Sequence, residues 1–149
     1  MIYLFDTDIF IFMIRGLKPA RRPAQRQKAL QLVQRCRQFQ TGGDEVGLSA
    51  LTVSELEFGA RNSGRYEDEI AAVHKVLTPF EVYDYDSVQC PLHYGRIRHE
   101  LETKGVTIGS MDLVIAAHAL ALDATLISNN LAHFSRIGNL MTANWLRQP

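Results

Sequence analysis

Ile2-Tyr3-Leu4-Phe5 is an unbroken apolar run closed by Asp6, which predicts a buried strand over residues 2–5. The spacing then becomes helical. Residues 8–15 predict a helix with Thr7 or Asp8 as N-cap. Gly16, Pro19 and Pro23 mark a loop over 16–23. A helix over 24–39 follows, with Leu30, Val33 and Cys36 on its apolar face, then a turn at 41–44 and a short strand at 46–48. Residues 49–52 lead into a helix over 53–60, closed by Asn62-Ser63-Gly64. A helix over 66–77 is broken by Thr78-Pro79, and 80–83 has the β-branched and aromatic content of a strand. The longest helical pattern spans 86–104, with Pro91 near its start and Gly105 at its end. Ser110 is the expected N-cap of a helix through 121, with Ile115, Ala116 and Ala119 on its packing side. A buried strand at 124–127, a helical turn at 131–134 and an edge strand at 140–142 complete the pattern, with Trp145 packed behind it.

Strands alternating with helices predict the α/β class: an α/β/α sandwich around a central, mainly parallel sheet of four to five strands. The 149 residues suit a single domain, 1–149, and 46% hydrophobic content supports a core without disulfide staples. Cys36 and Cys90 form no CxxC and are expected as reduced thiols. No apolar run reaches the ~18 residues of a membrane span, and no basic segment precedes the first one. The expected location is the cytoplasm.

The formal net charge is zero, but it is unevenly spread. Residues 9–43 hold no acid and carry eight of the 16 Lys and Arg, from Arg15 to Arg37. That asymmetry fits either a polyanion contact or a solvated helix face with an exposed loop.

Three acids stand where a strand gives way to a helix: Asp6 after the first strand, Glu55 in the first turn after the second, and Asp112 just after Ser110. In a parallel sheet such ends share one side. Taken singly, Glu55 and Asp112 also suit the ordinary preference of acids for a helix start. Converging carboxylates repel one another, and a hard divalent cation such as Mg²⁺ or Mn²⁺ reverses the effect. Such a site activates water and neutralises a phosphodiester.

These segments resemble those of the PIN-domain ribonucleases, and among them the VapC toxins of type II toxin–antitoxin (VapBC) pairs. The resemblance covers nearly the whole chain and rests on four stretches in order. They are Leu4-Phe5-Asp6-Thr7-Asp8-Ile9, then 49–59 around Ser54-Glu55-Leu56, then 108–119 around Ser110-Met111-Asp112, and finally Leu126-Ile127-Ser128-Asn129-Asn130 with Phe134 to Leu140. It implies a PIN-like α/β/α fold, a homodimer, and a Mg²⁺- or Mn²⁺-dependent endoribonuclease inhibited by a VapB-type antitoxin. RNA is the implied substrate, with tRNA favoured, including the anticodon loop of initiator tRNA, and ribosomal RNA open. By the resemblance, Asp6, Glu55 and Asp112 are catalytic. Asp6 and Asp112 hold the metal, while Glu55 either ligates it or orients its water. Asn130 replaces a fourth Asp, Ser128 matches a hydroxyl position, and Asp8 stands where the family has Asn; these three form a secondary polar site. The basic segment 17–28 is longer than usual for the family. Candidates for RNA contact are Arg15, Lys18, Arg21, Arg22, Arg26, Arg96 and Arg98. The last two also stand at pairing distance from Glu100 and Glu102.

His118 reads as a packed helix histidine, and His74, His93, His99 and His133 make no zinc spacing. Phe58 and Tyr94 are expected as core or dimer aromatics. Two other functions fit parts of the pattern. One is a catalytically degenerate PIN domain that binds RNA or protein. The other is a haloacid-dehalogenase-like phosphatase with Asp6 as nucleophile, although Phe10 and the absence of an acid pair near Ser128 depart from that family.

Overall fold

The computed structural model describes residues 1–19 and 22–147. Five parallel strands form one sheet: β1 (Ile2–Phe5), β2 (Glu45–Ser49), β3 (Glu81–Tyr83), β4 (Thr125–Ile127) and β5 (Met141–Ala143), in the order β3-β2-β1-β4-β5. The helices are α1 (Thr7–Gly16), α2 (Pro23–Thr41), α3 (Ala50–Asn62), α4 (Tyr66–Leu77), α5 (Gln89–Thr103), α6 (Ser110–Ala121) and α7 (Leu131–Phe134). Each sheet face buries its own core. Phe5, Phe10, Met13, Leu48 and Ile127 pack with α1 to α4 and Trp145, while Leu4, Leu126, Ile97, Ile115 and Phe134 pack with α5 to α7. Adjacent strand residues point to opposite faces, so Leu4 and Phe5 divide between the two cores.

Trp145 is buried and stacks on Phe39 with ring centroids 4.7 Å apart, as its place after the last strand predicted. Gly47 lets β2 and β3 close: a Cβ there would stand 2.2 Å from the Glu81 carbonyl oxygen. Both cysteines are free and buried, and burial pushes the Cys36 thiol up to about 12, so it stays protonated and inert. Among the described residues no helix is long and apolar enough to cross a membrane.

Several local expectations need correction. Helix α1 is capped by Asp6, not by Thr7 or Asp8. Helix α3 begins at Ala50 with Ser49 as its cap, so Glu55 lies in the second turn rather than the first. Ser110 is the first residue of α6, whose N-cap is Gly109 with no side-chain hydrogen bond. On α2 the buried face is Ala29, Leu32 and Cys36, and Leu30 is exposed. Phe58 is 67% exposed and is no core residue, whereas Tyr94 packs against the α5–α6 side. The strand expected from Phe80 starts at Glu81, and Phe80 folds into the core beside Phe5 and Phe10.

Candidate active site

Strand β1 lies between β2 and β4, with Phe5 level with Leu48 and Ile127. The next residue of each strand therefore falls in one row, Ser49, Asp6 and Ser128, across the C-terminal edge of the sheet. The Asp6 N–H still donates to the Ile127 carbonyl at 3.1 Å, so Asp6 is the last residue held by the sheet and the first to address α1.

Asp6 is 5% exposed. One carboxylate oxygen accepts the Ile9 N–H at 3.0 Å and caps α1, and the other accepts the Ser128 hydroxyl. No cation among the described residues pairs with it. Burial pushes its pKa up to about 6, the two hydrogen bonds hold it down, and the charges of Asp8 and Asp112 push it up again. A buried acid repelled by two neighbouring acids and matched by no base is suited to a cation.

A path of hydrogen bonds leads from Asp6 to Asp112. The Ser128 oxygen accepts the Asn130 N–H at 2.9 Å, the Asn130 amide lies 2.8 Å from His133 Nδ1, and the same Nδ1 lies 3.2 Å from Asp112 Oδ2. A carboxylate beside a bare ring nitrogen is repulsive. His133 therefore carries its proton on Nδ1, shared between Asp112 and the Asn130 amide oxygen, which the amide is turned to offer. Asp112 is thus oriented from α7, and Asn130 belongs to the site although it brings no charge.

Glu55 is exposed on α3. Three residues earlier, the buried Thr52 hydroxyl meets the Thr7 hydroxyl at 3.1 Å and pins the start of α3 to that of α1. Residues three apart share a helix face, so Glu55 flanks the Asp6 end of the sheet one turn further out. Asp8 is exposed on the first turn of α1. Among the described residues no three His, Cys, Asp or Glu side chains are drawn close enough to enclose a metal ion. The carboxylates whose charges reach Asp6 are Asp8 and Asp112.

His118 is fully buried, and its Nδ1 lies 2.8 Å from the Ser49 hydroxyl. Burial lowers its pKa, against the opposite influence of Asp84, so it is neutral and packs β2 to α6, as a helix histidine was expected to. His133 is different. Zinc spacing overlooked it, and its signal was subtler: Asn130 and His133 stand three apart at a helix start, where side chains meet.

The basic candidates divide by partner. Lys18 is ion-paired to Glu69, and Arg26 donates to the Leu17 carbonyl at 3.1 Å, so both tie the 17–28 segment down. Arg96 pairs with Glu100 at 3.5 Å, and Arg98 with Glu102 at 2.9 Å, as their helical spacing allowed. Arg15 and Arg22 are exposed, and no described side chain pairs with them. Arg21 lies outside the described residues.

Comparison with known proteins places this geometry. The PIN domain family model matches residues 3–140. Ribonuclease VapC2 of Rickettsia felis is 34% identical over 145 residues, covering 97% of this chain and 98% of the relative. The tRNA(fMet)-specific endonuclease VapC of Shigella flexneri is 32% identical over 143 residues, 96% of this chain and 97% of its own length. Among solved structures, DNA-bound VapBC from Salmonella typhimurium superposes with a TM-score of 0.82 at 30% identity, covering 97% of this chain and 98% of that one. These matches leave no place for the phosphatase reading. A sheet in the order β3-β2-β1-β4-β5, a buried acid at the end of its central strand and full-length likeness to these relatives agree: the chain belongs to the PIN-domain family and, within it, to the VapC ribonucleases.

Proposed function

We propose that this chain is a divalent-metal-dependent endoribonuclease toxin acting on tRNA and restrained by a VapB-type antitoxin. The observation that carries the metal is Asp6: a buried, repelled carboxylate without a counter-charge, at the sheet edge where open α/β sheets bind their ligands. Asp6 and Asp112 would hold Mg²⁺ or Mn²⁺, both of which favour oxygen ligands. A cation bound there neutralises the phosphodiester and acidifies a water.

The chain's own residues do the rest. Ser128 and the Ile9 N–H fix both oxygens of Asp6, so the carboxylate is set before any ligand arrives. His133 sets Asp112. Glu55, on the side of α3 fastened by Thr52, addresses the attacking water or the ion itself. Arg15 and Arg22 supply positive charge for the RNA backbone.

The tRNA assignment is supported by the name of the Shigella flexneri relative, and the antitoxin by the VapBC structure from Salmonella typhimurium. A homodimer working in the cytoplasm as one PIN domain, 1–149, completes the reading. The test is incubation of the purified chain with total bacterial RNA and Mg²⁺ beside Asp6→Asn, with mapping of new RNA ends. Discrete cuts in tRNA that fall at least ~100-fold in the variant are expected. Equal cutting by both proteins would refute the assignment.

Two observations favour a second reading, a PIN domain that binds without cutting: Asn130 stands in place of an acid, and among the described residues no three acids close around one point. That form would bind RNA or antitoxin but give no cuts and no Mn²⁺ heat at the acidic pocket.

A further inference from the structure

Beside the acidic site, across Asn130, lies a separate cavity of about 550 Å³ between the loop after β4 and the chain after β5. Its polar lining is Asn129, Asn130, Thr142, Asn144 and Arg147, beside the apolar Leu131, Ala132 and Ala143. Asn144 is buried, and its hydrogen bonds fix which way the amides point. The Leu146 N–H donates to Asn144 Oδ1 at 3.0 Å, which turns the Asn144 amide nitrogen to Asn129, where it donates to Oδ1 at 2.9 Å. The Asn129 oxygen is thus taken by Asn144, and its NH₂, on an exposed residue that lines the cavity, is left to meet a ligand acceptor. No described residue pairs with the Arg147 guanidinium, which is also exposed.

The cavity thus offers hydrogen-bond donors, one of them charged, and it opens next to the Asp6–Ser128–Asn130 path. From this geometry we propose that it is a subsite for the nucleotide adjoining the scissile phosphodiester, gripped through acceptor atoms. The proposal rests on the ribonuclease reading. Two parts of RNA carry such acceptors close together: the O6/N7 edge of guanine, which suits an arginine fork, and the neighbouring phosphate. Single-stranded RNA exposes both. Adenine and cytosine fit less well, because their exocyclic amines would oppose the Asn129 NH₂.

The test measures cleavage of a short, labelled single-stranded RNA containing all four bases by wild type, Asn129→Asp and Arg147→Gln, with Asp6→Asn as blank. Asn129→Asp is nearly isosteric and still accepts from Asn144, but it replaces the donor with a negative acceptor. KM should rise at least about tenfold in both variants, with kcat within about twofold. Substrates carrying 7-deazaguanine or adenine in place of guanine lose the same factor if the base is gripped, whereas inosine, which keeps O6 and N7, does not. A methylphosphonate at the adjoining linkage loses it if the phosphate is gripped. Unchanged KM in both variants, with Asp6→Asn still inactive, would overturn the subsite and leave the ribonuclease intact. Failure of the wild type to cut this RNA above the blank would overturn the subsite, and failure on tRNA as well would overturn both.

Discussion

Replacing Asp6 with Asn should make the metal-free protein more stable at neutral and alkaline pH, although Asp6 caps α1. Asp6 is 5% exposed, and burial pushes its pKa up to about 6, against 3.8 for an ordinary Asp. Each pH unit of that separation is worth about 1.36 kcal/mol, so carrying the charge costs the folded protein up to about 3 kcal/mol above pH 6. The folded pKa lies above the unfolded one. The group's contribution therefore favours folding below about pH 4 and is lost as the pH rises through about 6. Asn is neutral throughout. Its oxygen still accepts the Ile9 N–H, Asn is as good an N-cap as Asp, and its NH₂ meets the Ser128 oxygen, which can turn to accept. The expected gain is about 1–3 kcal/mol at pH 8, or about 2–4 °C in Tm per kcal/mol, shrinking to nothing near pH 4. Thermal and urea melts of both proteins in EDTA, from pH 4 to pH 8, measure it. A loss of stability that is the same at every pH would refute the reasoning: Asp6 would then be an ordinary cap whose charge is at ease.

Three further perturbations test neighbouring parts of the structure. Ser128→Ala removes a hydrogen bond that holds the Asp6 charge in place and should move its titration above about 6; an unmoved midpoint in an NMR titration of the Asp6 carboxyl carbon would count against the contact. Gly47→Ala drives a methyl group into the Glu81 carbonyl and the Tyr83 ring, and should cost about 3 kcal/mol or more by chemical denaturation; a loss below about 1 kcal/mol would mean that β2 and β3 are not paired as described. His133→Ala frees Asp112 and should weaken Mn²⁺ binding about 10- to 100-fold by calorimetry, with His133→Asn restoring part of it through its amide donor; full affinity in His133→Ala would show that the ring does not orient Asp112.

Much of this was legible in the chain. Ile2 to Phe5 could only be a buried strand, and an acid directly after it had to sit at the sheet edge. Which of Asp6, Thr7 and Asp8 caps α1 was not legible, because all three are good caps. The choice is made by β4, whose Ile127 carbonyl holds the Asp6 N–H and leaves its side chain facing the helix. Leu30, expected on the apolar face of α2 but exposed while Leu32 is buried, posed a similar problem, because long polar stretches leave the apolar stripe weak. The face was settled by what arrived opposite, Trp145 and the β2 side of the sheet. His133 was hidden for a different reason. It meets Asp112 from 21 positions away, through a hydrogen bond that no local spacing announces. The Asn129–Asn144 pair, 15 positions apart, is another contact of that kind.

The strain at Asp6 has a consequence that joins stability to function. A cation that binds only the folded protein stabilises it by about 4.1 kcal/mol at a thousand times its Kd, which exceeds the cost of up to about 3 kcal/mol for the bare charge. Saturating Mn²⁺ at pH 8 should therefore raise the Tm of the wild type and leave Asp6→Asn almost unmoved. The order of the two proteins then reverses: the variant melts later in EDTA, and the wild type melts later in metal. Glu55 and Asp112 remain in both, so residual binding by those acids would narrow the reversal without removing it. A mere surface effect of Mn²⁺ would shift both proteins alike. If the variant still melts later in saturating metal, Asp6 is a buried acid that no cation relieves, and the metal must be sought among the other carboxylates.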